Sequence, residues 1–296
     1  MDRRGKNLLK RIVIAVAVVC LSASLSFAGT QGTFSKDIDA LRKIHGSFTF
    51  AVIGDTRSGG NLYHELILRL MEYNPAFVVN TGDVVSSPDK SHWADFWRQS
   101  RSITVPYFLT VGNHDVYDRK TGELFKKEAG LPGNGLYYSF TAGNSLFIFL
   151  DSSIPGQDRR ITGAQYEWLE KVLSASVQEY KFVFVHHPLY PDKECGHHYG
   201  GCLDKYKEDR DRIESLFEKY RVAVVFAGHE HLYLRKQVDG VVHIITGGGG
   251  AKLYSKEVKG GFHHFVLVMV SGEEVKGRVI DISGKVRDTF QLQGQE

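Results

Sequence analysis

The residues of this chain best suited to chemistry stand at the ends of short apolar runs. Gly54-Asp55-Thr56-Arg57 follows the run 48–53 and Gly82-Asp83 follows 77–80. Gly112-Asn113-His114-Asp115 follows 106–111, His186-His187-Pro188 follows 181–185, and Gly228-His229-Glu230-His231 follows 222–227. Each run is β-branched or aromatic in character, ends at Gly or Pro, and delivers a carboxylate, an amide or an imidazole. Donors of this kind are what a pair of hard-to-borderline divalent metals requires. Taken alone, an Asp after Gly reads equally well as a helix N-cap, and a lone His as a polar loop residue. Five such groups in one chain argue for a shared site.

The elements that must position them follow from periodicity. Leu62, Leu66, Leu70 and Tyr73 predict an amphipathic helix over 62–73. Trp93, Phe96 and Trp97 mark a second helix, 162–173 a third, and 211–220, with Ile213, Leu216 and Phe217 as its stripe, a fourth. After Ala227 the pattern turns to strands at 232–237, 241–246, 265–270, 274–281 and 285–291. The second of these runs into Gly247-Gly248-Gly249-Gly250, a turn that only glycine makes easily. Alternating β/α units with a β-rich close predict one α/β domain over 48–296 with two sheets, an αββα sandwich. Its site belongs at the C-terminal ends of the strands.

Residues 1–28 stand apart. Arg3, Arg4, Lys6, Lys10 and Arg11 face a single acid, Asp2; the apolar run 12–21 follows, then Ser26-Phe27-Ala28. This is the three-part pattern of a secretory signal peptide, with an uncleaved membrane anchor as the rival reading. Val19 before Cys20 disfavours a lipoprotein anchor. Without this segment Lys plus Arg fall from 37 to 32 and Asp plus Glu from 34 to 33, so the net charge moves from +3 to −1. Nothing remains to attract nucleic acid or a membrane surface. Residues 29–47 read as a polar tether. The expected location is extracytoplasmic, periplasmic or secreted, with no stable membrane anchor after cleavage. Cys195 and Cys202 lie in one glycine- and histidine-rich loop. In an oxidising compartment they are expected to form a disulfide, with a metal pair completed by His197 and His198 as the alternative.

The ordered set Gly-Asp-x-Arg, Gly-Asp, Gly-Asn-His-Asp, His-x-Pro and Gly-His-x-His resembles the calcineurin-like metallophosphoesterase superfamily, whose members include purple acid phosphatases and phosphodiesterases. The resemblance implies a dinuclear centre of two divalent or trivalent ions (Mn, Fe or Zn). Asp83 would bridge both, Asp55 and His231 would hold the first, and Asn113, His186 and His229 the second. It implies phosphate-ester hydrolysis by metal-activated hydroxide, with a small phosphorylated substrate and His114 protonating the leaving alcohol. His187, one place past the matched ligand, reads as a packing or supporting residue. His197 and His198 are candidates to touch substrate.

Two positions depart from the common pattern. Arg57 stands where relatives often carry a ligating histidine, and a guanidinium has no lone pair to give. Either the first metal has fewer protein ligands and binds weakly, or Arg57 forks onto substrate phosphate, or it pairs with Asp55 or Asp83. Ser86 stands where relatives often carry an acid or amide that orients the histidine of Gly-Asn-His, so His114 is expected to lean on Ser86, water or a carboxylate. Phosphate monoesterase, phosphodiesterase and non-catalytic metal or phosphate binding all remain open. No Gly-x-Ser-x-Gly turn supports a serine hydrolase.

Overall fold

The computed structural model describes residues 31–131, 133 and 135–293; the segment read as a signal peptide lies outside them. Strand β1 (Phe48–Ile53) leads to helix α2 (Gly60–Met71), β2 (Phe77–Asn80), α3 (Lys90–Gln99), β3 (Tyr107–Leu109) and α4 (Arg119–Glu128). These three strands run parallel. The chain then builds a second sheet from β4 (Tyr138–Ala142), β5 (Ser145–Leu150), β6 (Tyr180–Val185), β7 (Val224–Ala227), β8 (Tyr233–Val238) and β9 (Val241–Thr246). Helices α5 (Gly163–Ala175) and α6 (Lys207–Lys219) connect its parallel strands. Strands β10 (His264–Ser271), β11 (Glu274–Asp281) and β12 (Val286–Gln293) return to the first sheet, where β10 pairs antiparallel with β1. The orders are β12-β11-β10-β1-β2-β3 and β4-β5-β6-β7-β9-β8.

The packing makes this an αββα sandwich. Helix α2 buries Tyr63, Leu66, Ile67 and Leu70 at helical spacing against the outer face of the first sheet. Helices α5 and α6 bury Leu169, Leu173, Ile213, Leu216 and Phe217 against the outer face of the second. Between the sheets lies a layer of phenylalanines. Phe50 meets Phe147 at 5.2 Å and Phe182 at 5.1 Å between ring centroids, both edge-on, the geometry that ring quadrupoles favour. Helix α3 starts on Asp89, whose carboxylate accepts the N–H groups of Ser91 and His92.

Three features depart from expectation. Within the segment read as a tether, α1 (Gln31–Leu41) is a helix, and its Phe34, Ile38 and Leu41 are buried at a spacing of four and three residues. Phe34 packs edge-on against Phe108 and Tyr138, so this stretch covers the edge of the core. Helix α4 and the hairpin β4–β5 were not read from periodicity. Strand β5 is buried at every position, and so shows no alternation to detect.

Candidate metal centre

Strands β1, β2 and β3 of the first sheet end at Asp55, Asp83 and Asn113; β6 and β7 of the second end at His186 and at His229 and His231. The site therefore straddles the two sheets. The chain must turn sharply at each strand end, and it does so at the functional residues themselves. Asp55, Asp83 and His229 have φ of 56°, 54° and 66°, a left-handed conformation that costs a non-glycine residue of order 1–3 kcal/mol. Glycines beside them permit the close approach: a Cβ on Gly112 would overlap the main chain and carboxylate of Asp83, and one on Gly228 the carboxylate of Asp55.

Asp55, Asp83 and His231 bring ligand atoms together at one position, all three buried. His231 Nδ1 donates to the Lys252 carbonyl at 2.6 Å, which leaves its Nε2 lone pair facing Asp55 Oδ1 at 3.4 Å. At the second position His186 Nδ1 donates to the Thr81 carbonyl at 3.0 Å. Its Nε2 then lies 3.0 Å from Asn113 Oδ1, 3.2 Å from Asp83 Oδ1 and 3.3 Å from His229 Nδ1. Both rings are thus oriented through Nδ1 by a carbonyl, the usual support for a metal-binding imidazole. Carboxylate, amide and imidazole atoms of the kind that bind metal converge here within 3.0–3.3 Å of His186 Nε2. The residues fit a dinuclear centre.

The electrostatics agree. Burial pushes the Asp83 carboxyl up, but His186, His114, the His114 N–H and Arg57 outweigh it and hold it below the usual range. Burial, then the neighbouring His187, His186, His198 and His231, push the His229 ring well down, so it is neutral, as ligation requires. For His231 burial is outweighed by the hydrogen bond and charge of Asp55, and its pKa rises.

Around this core the other expected residues take definite places. Arg57 pairs with Asp83, Nε to Oδ2 at 3.2 Å. His114 donates its main-chain N–H to Asp83 Oδ1 at 3.0 Å and places Nδ1 3.2 Å from the main-chain carbonyl of Ser86, so Ser86 orients the ring with its backbone. His187 is buried with Nδ1 2.8 Å from Ser152 Oγ, and its ring lies 4.4 Å from that of His229. His198 stacks obliquely on His229 at 4.3 Å, while His197 stacks on Tyr254 at 4.4 Å. The loop carrying them thus lies against His229 through His198. The expected disulfide is absent: Cys195 and Cys202 are free thiols, Cys202 buried with Sγ toward the His198 carbonyl and Cys195 turned toward Asp192.

Two carboxylates that organise the site were not singled out from sequence. Asp115 accepts the N–H groups of Asp83, Val84, Val85 and Gly112 at 2.8–3.1 Å, which locks the two ligand loops of the first sheet together. Glu230 is fully buried and accepts from the main chain of His197 and His198. The sequence marks Glu230 only by its place between two histidines; the segment bends there, with His229 at φ 66°, so strand alternation does not give its direction. Tyr254, stacked between His197 and His231, had no motif to mark it.

The comparisons are consistent with this geometry. A family model described as calcineurin-like phosphoesterase matches residues 48–233. Purple acid phosphatase 23 of Arabidopsis thaliana is 30% identical over 229 residues, covering 61% of this chain and 48% of that protein. A phosphoenolpyruvate phosphatase of Allium cepa is 30% identical over 228 residues, covering 68% of this chain and 45% of that protein. The chain spans about half the length of the curated relatives it matches. Among solved structures, a purple acid phosphatase from yellow lupin seeds superimposes with a TM-score of 0.70 at 21% identity, over 84% of this chain and 54% of the other. Among the described residues no helix is long and apolar enough to cross a membrane.

Proposed function

The chain belongs to the calcineurin-like phosphoesterase family, and from that premise we propose that it is an exported metal-dependent phosphatase acting on small phosphate monoesters. The observation that carries the reading is the convergence of ligand-type oxygen and nitrogen atoms from two sheets, with His186 Nε2 3.0 Å from Asn113 Oδ1 and 3.2 Å from Asp83 Oδ1. Asp55, Asp83 and His231 would hold one ion; Asp83, Asn113, His186 and His229 the other. When bound, the two ions neutralise phosphoryl oxygens and make hydroxide available near neutral pH.

The chain's own groups supply the remainder. Three groups near the ligand candidates stay partly exposed: Arg57, His114 and His198. The Nη groups of Arg57 make no hydrogen bond among the described residues, so its fork is free for two phosphoryl oxygens. A monoester offers three such oxygens and two negative charges, which favours it over a diester, as do the phosphatase names of the relatives. His114, anchored through Nδ1, keeps Nε2 for the leaving oxygen and would hand it a proton. Export is supported by the three-part pattern of residues 1–28.

Metal-replete protein assayed against aryl monoester and diester phosphates tests the reading. Monoester turnover should dominate, and Asp83→Asn should lower it by roughly a thousandfold or more, about 4 kcal/mol of transition-state stabilisation. Metal binding without turnover of either ester would favour a non-catalytic binding protein, the reading that Arg57 on Asp83 keeps in view. Intact mass of exported protein tests cleavage after Ala28.

A further inference from the structure

Arg57 occupies the carboxylate on which the metal reading turns. Both oxygens of Asp83 are engaged, but differently. Oδ1 takes the His114 N–H and faces His186 at 3.2 Å, on the side of the second position. Oδ2 takes Arg57 Nε at 3.2 Å. This is no loose surface pair. The Arg57 main-chain N–H donates to the Asp83 carbonyl at 3.0 Å, and the side chain is only 20% exposed. Arg57 is therefore tied to Asp83 through main chain and side chain alike, and a permanent cation sits on a carboxylate oxygen of the Asp55–Asp83–His231 group.

The charges at that position decide the consequence. Asp55 and Asp83 bring two negative charges, and Arg57 cancels one before any ion arrives. A divalent ion entering there meets a net charge of about −1 instead of −2, roughly half the attraction. A phosphate dianion reverses this. The free Nη groups of Arg57 offer it a fork, and the guanidinium can trade Asp83 for phosphate while the ion takes Oδ2. We propose that Arg57 is a resident counter-ion that keeps the Asp55–Asp83–His231 position weak for metal until a phosphate oxyanion draws it away, so that metal and phosphate bind cooperatively through this one side chain. The inference rests on the metal-centre reading above. By linkage the effect is reciprocal: metal at this position tightens phosphate by the same factor that phosphate tightens metal.

Calorimetric titration of chelated protein with Mn²⁺, with and without inorganic phosphate, tests it on wild type and on Arg57→Gln. Wild type should bind one ion tightly and a second weakly, and phosphate should tighten the weak step roughly ten- to a hundredfold. In Arg57→Gln the weak step should already be tight, and the gain from phosphate should shrink to about threefold or less, the residue of direct phosphate–metal contact. The unaltered tight step shows that the variant is folded. Two equally tight steps in wild type would overturn the proposal, as would a phosphate gain that Arg57→Gln leaves unchanged. Absence of both steps from wild type would overturn the metal-centre reading itself.

Discussion

The carboxylate of Glu230 accepts the main-chain N–H of His198 at 2.6 Å, and in the same grip that of His197 at 2.5 Å. One buried acid thus fixes the His197–His198 loop to the segment that carries His229 and His231. Glu230→Ala should release the loop and leave the metal ligands in place. Amide exchange over 195–202 is expected to quicken about a hundredfold, equivalent to roughly 3 kcal/mol for two charge-assisted hydrogen bonds. KM should rise while bound metal stays constant. Hydrogen-exchange mass spectrometry with metal analysis checks both, and unchanged exchange would mean the loop is held by something other than Glu230.

Gly112 allows the Asn113 loop to lie directly on Asp83, where no side chain fits. Gly112→Ala should push Asp83 out of place and cost roughly ten- to a hundredfold in metal affinity, the scale on which ligand-orienting contacts act. No ligand is removed, so activity should recover in part at high metal concentration. Metal titration followed by activity measurement distinguishes this from general unfolding.

Asp151 predicts a pH dependence of stability away from the metal ligands. It is 4% exposed, and burial, against the Ser153 N–H and reinforced by Asp158, pushes its carboxyl up to about 7. The folded state therefore holds a proton that the unfolded state has already released above about pH 4. The contribution is fully present below the unfolded value and is lost as pH rises toward the folded one. The slope is about 1.4 kcal/mol per pH unit, on the order of 3–4 kcal/mol in all. Asp151→Asn should flatten this fall and be more stable than wild type at pH 8. Denaturant unfolding at pH 5 and pH 8 checks the sign; equal slopes in the two proteins would exclude Asp151 as the source.

The legible parts of this molecule were those with a local physical signature. The stripe of α2 and the alternation of the closing strands each carry a period. The strand-end motifs carry residue types that few other roles require together. What stayed hidden has only long-range causes. Helix α1 has three well-spaced apolar residues in a polar segment, and its meaning appears only when Phe34 meets Phe108 and Tyr138. Asp115 follows three residues that draw attention to themselves, yet its work is to accept N–H groups from a loop about thirty residues away. The disulfide expectation came from proximity along the chain, but the two thiols face different neighbours. Arg57 had three open readings in sequence; the structure shows the pairing with Asp83, and the phosphate fork and the weak first position belong to the proposals made above.

Because the ligand candidates come from both sheets, the centre also works as a gauge of their separation. A metal held there would tolerate only about a few tenths of an ångström in ligand distance, and the sheets are spaced by phenylalanines such as Phe147, wedged 5.1–5.3 Å from Phe50, Phe77 and Phe182. A change deep in that layer would reach the ligand candidates without touching them, since close-packed interiors transmit displacement rather than absorb it. Chemistry at the rim would thus be calibrated by a greasy layer that never sees a substrate.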